Sequence, residues 1–377
     1  MYIPSTDELI SRESEKWAQY GPNVIPMWVA ESDFGTCPEI KERLLEAVQN
    51  ESFGYSPEPT ALRSALANFY KNRYGTEVKP EWVFTATDVV RGVLQSIVHF
   101  TRAGSPVIMP TPAYWPFYSL GKASGRELLF VQATEHGISL EDVEAQFKKG
   151  AGSIVLCNPY NPLGFTFKRD FMVELAELAA KYGARVITDE IHAPLVLEGT
   201  HIPMASVSTT AAEVTITVTA ASKAWNIAGL KCAQIVFSNE RDANIWRNLT
   251  GPERGGVSIL GQIGSTAAYE APFSFLDEQI EYLRSNRDYI CEELPKLLPG
   301  AKPIRNEATY LMWIDLRETR LADHPATRIL KEAKVAVEPG EKYGVGADGG
   351  GAGFIRMNFA CSRELLEEAI HRIAGLQ

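Results

Sequence analysis

The stretch Ala221-Ser-Lys-Ala-Trp-Asn-Ile-Ala-Gly-Leu-Lys231 follows a β-branched apolar run, Val214-Thr-Ile-Thr-Val218. Similar runs stand earlier in the chain, at Pro106-Val-Ile-Met109, Ser153-Ile-Val-Leu-Cys157 and Arg185-Val-Ile-Thr188. Short β-branched runs that alternate with helical patterns predict strands buried on both faces. The chain is therefore expected to contain an α/β domain built on a mostly parallel sheet.

Helical patterns are readable around these runs. One extends from Ala61 to Tyr74 with its apolar residues on one face, and another extends from Asp170 to Tyr182, with Gly183 as its C-cap. The segment from Phe273 to Leu298 is predicted to be a long helix that leaves the large domain.

The pattern changes after this long helix and predicts a second, smaller α+β domain. Its expected strands and helices lie at Thr309 to Asp315, Ala326 to Ala333, Val335, Phe354 to Ala360 and from Arg363 onwards. Three parts of the chain are expected. Residues 1–45 form an N-terminal arm that contributes to the small domain and the active site, residues 46–275 form the large cofactor-binding domain, and residues 276–377 form the small C-terminal domain.

The composition argues against several classes of protein. Of the 377 residues, 45% are hydrophobic and 22% are charged, as in an ordinary globular protein. The formal net charge of −10 and the absence of Lys/Arg runs argue against a nucleic-acid or membrane partner. No secretory pattern begins the chain, so a cytoplasmic location is expected. The five cysteines stand singly, which favours reduced core thiols, and no metal site is expected.

Polar residues follow three of the predicted strands, in Asn158-Pro-Tyr-Asn-Pro-Leu-Gly164, Thr188-Asp-Glu-Ile-His192 and the stretch quoted first. In open α/β sheets, ligands bind just beyond the carboxyl ends of the strands. Desolvation at such a position would lower the pKa of Lys223, and a lysine of that kind can condense with an aldehyde. Asp189 would need a cationic partner, and a protonated pyridine nitrogen is suited to that role.

Each of these residues also has a simpler interpretation when it is considered alone. Lys223 could end a strand, Asp189 could cap the next helix, and Asn161 could form an Asx-turn before Pro162. The order and spacing of all three together favour one shared site.

The motifs Asn-Pro-x-Asn-Pro-x-Gly, Asp-Glu-x-His, Ser-Lys-x-x-Asn-x-x-Gly-Leu-Lys and Arg-x-Asn-Phe-Ala resemble those of fold-type I enzymes of aminotransferase class I/II, over essentially the whole chain. The resemblance implies pyridoxal 5′-phosphate as the cofactor, carried by Lys223 as a Schiff base. It also implies that Asp189 keeps the pyridine nitrogen protonated and that Asn161 donates a hydrogen bond to the phenolic oxygen of the ring. Tyr114 matches the aromatic residue that stacks on the ring.

The resemblance also implies a cradle for the cofactor phosphate. The phosphate is expected at the N-terminus of the helix after Thr85-Ala-Thr-Asp-Val-Val90, on the backbone amides of Asp88 and Val89. Ser222 and Lys231 are expected to complete the cradle.

Two further matches concern the substrate and the neighbouring subunit. Tyr55 matches a tyrosine that family members extend into the cofactor site of the other subunit, which implies a homodimer with shared active sites. Arg356 matches the arginine that binds the substrate α-carboxylate, for which a bidentate guanidinium is suited, and Asn161 is expected to help hold the same carboxylate.

The chain departs from the usual family pattern at three positions. His192 stands where a ring-contacting tyrosine is common, Lys231 stands in place of an arginine, and Ala61 stands in place of a glycine. Lysine still supplies a positive charge, and imidazole can donate a hydrogen bond. The contact that His192 makes with the ring is left open.

Three segments are similar to the MalY/PatB branch, the cystathionine β-lyases and related carbon–sulfur lyases, with the greatest closeness to those of actinobacteria. They are Pro26-Met-Trp-Val-Ala-Glu-Ser-Asp-Phe34, Asp189-Glu-Ile-His-Ala-Pro-Leu195 and Ser222-Lys-Ala-Trp-Asn-Ile-Ala-Gly229. The resemblance implies α,β-elimination of L-cystathionine or other S-substituted cysteines to a thiol, pyruvate and ammonia. Ala30 and Glu31 are then expected near the substrate and Lys223 as the general base.

Two alternative functions stay open on the sequence alone. A class I/II aminotransferase would share every cofactor contact, and a MalY-like regulatory protein could be built on the same fold. The donor that protonates the leaving thiolate, Lys223 or Tyr55, is also left open.

Overall fold

The computed structural model of the chain describes residues 1–344 and 350–376. Its helices are α1 Thr6–Ser11, α2 Glu15–Ala18, α3 Pro38–Gln49, α4 Thr60–Tyr74, α5 Val89–Phe100, α6 Ser119–Ser124, α7 Leu140–Lys148, α8 Arg169–Lys181, α9 Thr209–Val214, α10 Glu240–Asn248, α11 Gly251–Arg254, α12 Ile259–Glu270, α13 Phe273–Leu297, α14 Pro325–Arg328 and α15 Arg363–Ala374. Its strands are β1 Ile25–Pro26, β2 Val83–Ala86, β3 Val107–Thr111, β4 Leu128–Thr134, β5 Gly137–Ile138, β6 Ser153–Cys157, β7 Arg185–Asp189, β8 Thr215–Thr219, β9 Ala233–Phe237, β10 Lys302–Pro303, β11 Leu311–Asp315, β12 Val335–Ala336, β13 Glu338–Pro339 and β14 Phe354–Asn358.

An eight-stranded sheet with the order β2-β9-β8-β7-β6-β3-β4-β5 occupies the middle of the chain. The central strands β8, β7, β6, β3 and β4 run parallel to one another. Strand β9 is antiparallel to β8, β2 is antiparallel to β9, and β5 is antiparallel to β4. The expected fold-type I architecture with a mostly parallel sheet is therefore confirmed. The antiparallel edge formed by β9 and β2 is an addition that the sequence patterns did not predict.

The register of the central strands determines where the polar segments lie. Cys157 at the end of β6 pairs with Asp189 at the end of β7, and Asp189 pairs with Val218 of β8. Every residue of β6 and β8 is buried, which explains their β-branched, apolar composition. Because parallel strands end at the same edge, the segments that follow β6, β7 and β8 lie side by side.

The long helices agree closely with the sequence patterns. Helices α4, α8 and α13 each begin and end within one residue of the predicted bounds. The C-cap of α8 is Tyr182 and not Gly183 as predicted. Gly183 comes next, with a positive φ of 57°, a conformation that glycine adopts without steric cost. Strong helical periodicity was therefore a sufficient signal for these elements.

A second, antiparallel sheet with the order β10-β11-β14-β13 forms the C-terminal part together with α15. The helix expected at residues 326–333 is present as α14, continued by a wider π-helical turn over Ile329–Ala333. Strand β1 of the N-terminal segment pairs with β12, with Ile25 opposite Val335. The N-terminal segment therefore contacts the C-terminal part, and the division into residues 1–45, 46–275 and 276–377 stays a prediction.

Two further properties of the described residues concern membrane spans and cysteines. None of their helices has the length and apolar character needed to cross a membrane. The five cysteines carry free thiols, and four of them are buried.

Candidate active site

A cavity of about 420 Å³ lies at the carboxyl edge of the parallel strands. It brings together residues that the sequence motifs singled out: Ala30, Asp88, Val89, Tyr114, Asn161, Asp189, His192, Ser222, Lys223 and Lys231. A larger cavity, of about 640 Å³, lies elsewhere beside Tyr74 and Lys79 and includes none of these residues. The smaller cavity is therefore the candidate site.

Lys223 stands in the segment after β8 and points at the N-terminal segment. Its Nζ donates a hydrogen bond to the backbone oxygen of Ala30 at 2.8 Å. Desolvation, aided by the positive charge of Arg356, lowers the pKa of Lys223 to about 8. An amine with this pKa is neutral in an appreciable fraction of molecules near neutral pH and can serve as a nucleophile or a base.

Asp189 ends β7 and is only 4% exposed. Its Oδ1 accepts a hydrogen bond from the Ile191 amide at 3.0 Å, and the thiol of Cys157 lies 3.9 Å from its Oδ2. Burial, with a smaller contribution from the charge of Glu190, raises the pKa of Asp189 to about 7, and the nearby charge of Lys223 offsets only part of this rise. A protonated pyridine nitrogen would supply the missing positive charge, so this carboxylate fits the expected cofactor.

Arg356, on β14, is buried beside Asn161. Its Nη1 donates to Asn161 Oδ1 at 3.2 Å and its Nη2 donates to the Trp28 oxygen at 3.0 Å. Its Nε is buried and has no hydrogen-bond partner among the described residues. A guanidinium with an unused donor and no acidic partner in the described chain is suited to bind a carboxylate.

The opposite end of the cavity is suited to a phosphate. Helix α5 begins at Val89, with Asp88 as its N-cap and the Asp88 carboxylate accepting from the Arg91 amide at 2.9 Å. The first amides of a helix have no intrahelical acceptor and attract anions. Lys231 Nζ lies 3.4 Å from Asp88 Oδ2, and Ser222 lines the same cavity. These groups match the expected phosphate cradle.

Tyr114 and His192 also line the cavity. His192 is buried, its Nδ1 has no partner among the described residues, and burial lowers its pKa to about 3. The imidazole is therefore neutral. A neutral ring with an unused nitrogen is consistent with a contact to the cofactor ring.

The backbone carbonyls of residues 28–31, here called the Ala30 segment, all accept hydrogen bonds from side chains of the site or its surroundings. Asn358 Nδ2 donates to the Val29 and Glu31 oxygens at 2.7 and 2.6 Å. The Tyr310 hydroxyl donates to the Ala30 oxygen at 3.0 Å. Neither role was inferred from the sequence. Asn358 stands in the Arg-x-Asn-Phe-Ala motif, which was an available signal, whereas no motif marks Tyr310.

Three predicted site residues do not line the cavity in the single chain. Arg356 is one of them, although it contacts Asn161 of the lining. Tyr55 is fully exposed and lies with Arg254 and Gly256 at a separate surface depression. Glu31 is adjacent to Ala30 but does not line the cavity. Their expected roles, at a neighbouring subunit's site and near the substrate, stay predictions.

Comparison with known proteins adds independent information. Residues 22–373 match the family model described as aminotransferase class I and II. The chain is 49% identical over 376 residues to a cystathionine β-lyase of Corynebacterium glutamicum, covering 100% of both chains, and 33% identical to the cystathionine β-lyase PatB of Bacillus subtilis, covering 99% of both. A solved Corynebacterium diphtheriae chain, described as a PLP-dependent β-cystathionase, is similar with a TM-score of 0.96 and 52% identity, covering 99% of this chain and 98% of that one. These similarities agree with the fold, the branch and the cofactor that the motifs imply.

Proposed function

The chain belongs to the aminotransferase class I and II family, and we propose that within this family it is a carbon–sulfur β-lyase dependent on pyridoxal 5′-phosphate. Its substrates are L-cystathionine or other S-substituted cysteines, and its products are a thiol, pyruvate and ammonia. The observation that carries the proposal is the convergence of Lys223, Asp189, Asn161 and Arg356 at one edge of the sheet in a chain so similar to a cystathionine β-lyase.

The substrate α-carboxylate is held by one charged side chain and one hydrogen-bonding side chain. Arg356, whose Nε has no partner in the described chain, binds the α-carboxylate, and Asn161 is held against it at 3.2 Å. Asp189 holds the proton on the pyridine nitrogen of the cofactor. When bound, the cofactor supplies a protonated ring that accepts the electron pair released at the substrate Cα.

Lys223 then acts as the general base. Its pKa of about 8 leaves a usable fraction of neutral amine, which removes the proton from the substrate Cα. The electron pair of the Cα–H bond ends in a Cα–Cβ double bond, and the Cβ–S bond breaks with its pair on sulfur. Water completes the conversion of the remaining three-carbon unit to pyruvate and ammonia. Lys223, or Tyr55 of a second copy, protonates the thiolate.

The decisive experiment separates this reaction from transamination, which uses the same cofactor contacts. The loaded protein is incubated with L-cystathionine and no oxoacid, and pyruvate and free thiol are measured over time. We expect both to accumulate in equal amounts over many turnovers per site. Product formation that stops after one equivalent, and resumes only when an oxoacid is added, would identify an aminotransferase instead.

The same assay addresses a purely regulatory role. A Lys223→Ala variant is expected to lose pyruvate release together with its borohydride-reducible chromophore. The lyase proposal is wrong if the natural chain releases no pyruvate and thiol from any of a panel of S-substituted cysteines. That result would favour a regulatory role.

We also propose a cytoplasmic homodimer with shared active sites. Tyr55 is fully exposed, Phe53 is 62% exposed, and Leu45 and Val48 of α3 are half exposed. Four exposed apolar side chains within eleven consecutive residues favour contact with a second copy of the chain. With L-cystathionine as substrate the thiol product is homocysteine, which supports a place in sulfur amino acid metabolism and methionine biosynthesis.

A further inference from the structure

We propose that Tyr310 is a positioning residue that places the Lys223 amine by fixing the backbone carbonyl of Ala30. The Ala30 oxygen accepts from Lys223 Nζ at 2.8 Å and from the Tyr310 hydroxyl at 3.0 Å. The two donors therefore converge on one acceptor, although 193 and 280 residues of chain separate them from it. The inference rests on the proposed function, in which this amine is the base.

Tyr310 is a rigid donor. Its side chain is completely buried, its ring stands edge-on to His192 with centroids 6.1 Å apart, and its own backbone oxygen accepts from the Phe359 amide at 2.9 Å. Burial, together with the charge of Glu31, holds the pKa of the phenol well above its usual value. The hydroxyl thus stays protonated over the whole working range and keeps donating to Ala30.

The neighbouring carbonyls of the Ala30 segment are held by other side chains. Trp28 accepts from Arg356, and Val29 and Glu31 accept from Asn358. Tyr310 is the donor that holds the Ala30 oxygen itself when Lys223 moves away from it. The oxygen then keeps its orientation and accepts from the Lys223 amine in the same position when the amine returns.

The shared oxygen also affects the protonation of Lys223. A carbonyl that already accepts a hydrogen bond from Tyr310 has less capacity to stabilise an ammonium, so the neutral amine is favoured. In Tyr310→Phe this competing donor is lost, and the Ala30 oxygen would stabilise the Lys223 ammonium more strongly. The substrate carboxylate would be unaffected, because Arg356 and Asn161 do not contact Tyr310 through any hydrogen bond in the described chain.

The test compares Tyr310→Phe with Tyr269→Phe, a matched control. Tyr269 is also buried, but its hydroxyl donates to Gln234 Oε1 at 2.7 Å and has no bond to the Ala30 segment. For Tyr310→Phe we expect kcat for L-cystathionine to fall about fivefold to tenfold with little change in KM. The acid limb of the kcat profile should move to higher pH by about half a unit, because the base must be neutral. Tyr269→Phe should leave KM, the acid limb and most of kcat unchanged.

A second readout does not depend on turnover. Apoprotein is mixed with pyridoxal 5′-phosphate, and the growth of the borohydride-reducible absorbance gives the rate at which Lys223 captures the cofactor. Tyr310→Phe should slow this capture at a fixed pH near 7, and Tyr310→His, which restores an N–H donor, should recover part of the rate. Equal capture rates and equal acid limbs for Tyr310→Phe and Tyr269→Phe would overturn the inference, as would a change confined to KM. Failure of the lyase proposal would show differently, as absence of pyruvate from the natural chain with capture intact.

Discussion

Burial shifts the two central ionisable residues of the site in opposite directions. It raises the pKa of Asp189 to about 7 and lowers that of Lys223 to about 8, so each is moved towards its neutral form. A buried carboxylate that lacks a cation is costly unless a ligand supplies one. The two residues are therefore prepared for a ligand that brings a positive charge to Asp189 and an aldehyde to Lys223.

Replacement of Asp189 by asparagine tests whether this carboxylate stabilises a positive charge on the ligand. Asp189→Asn keeps the shape of the side chain but cannot stabilise a protonated pyridine nitrogen. We expect kcat for pyruvate release to fall about a hundredfold or more, a loss typical of removing a group that stabilises developing charge. Asp277→Asn, which alters an exposed ion pair with Arg73, is the control and should retain full activity. An Asp189→Asn enzyme within twofold of the natural one would contradict the assignment.

The pH dependence of cofactor capture tests whether Lys223 reacts with the aldehyde of the ligand. Only the neutral amine of Lys223 reacts with an aldehyde, and the neutral fraction grows as pH rises through the pKa. Because that pKa is lowered to about 8, the capture rate of apoprotein should rise with a midpoint near pH 8 and level off above it, whereas an exposed lysine has its midpoint above about pH 10. In Arg356→Met the midpoint should move upwards, since the Arg356 charge contributes to the lowering. Stopped-flow absorbance across pH measures both midpoints, and a midpoint near 10 in the natural protein would refute the assignment.

At the level of elements, the Ala30 segment is the link between the N-terminal arm, β14 and the cavity. Asn358 at the end of β14 is completely buried and satisfies two carbonyls of this segment. Asn358→Ala would leave both without that donor. We expect the free energy of unfolding of the apoprotein to fall by about 2 kcal/mol or more in urea titrations. Asn248→Ala, on the exposed surface of α10, should change it little. Equal effects of the two substitutions would contradict the role of the segment.

The elements also show what the sequence could and could not supply. Helices α4, α8 and α13 and the buried strand Ser153–Cys157 follow from local periodicity, so their bounds were predictable. The meeting of Asn161, Asp189 and Lys223 followed from their positions at strand ends. The antiparallel edge of β9 and β2 did not, because strand direction depends on the path of the chain. The Tyr310 bond to Ala30 joins residues 280 positions apart and has no local signature.

At the level of the whole molecule, the predicted role of Tyr55 in the site depends on a second copy of the chain. Its side chain is completely exposed in the single chain and lies at a surface depression separate from the cavity. A homodimer in which each copy lends Tyr55 to the other gives that exposure a function. The dimer therefore leads to a prediction that a monomeric enzyme would not share.

Mixed dimers provide that test. Lys223→Ala and Tyr55→Ala are each expected to be nearly inactive alone. When the two are co-expressed, half of the dimers should pair one copy of each, and one of the two sites in such a dimer contains both natural residues. Activity should then recover to about a quarter of the natural level, by symmetry. Size-exclusion chromatography checks that dimers form, and no recovery in verified mixed dimers would exclude shared sites.

Lys223 is the residue proposed to carry the cofactor in the cavity at the carboxyl edge of the sheet. Reduction of the loaded protein with borohydride, followed by proteolysis and mass mapping, locates the lysine covalently bound to pyridoxal 5′-phosphate. We expect a single stoichiometric adduct on the peptide that contains Lys223. An adduct on Lys231, which also lines the cavity, or the absence of a stoichiometric adduct, would contradict the assignment of Lys223.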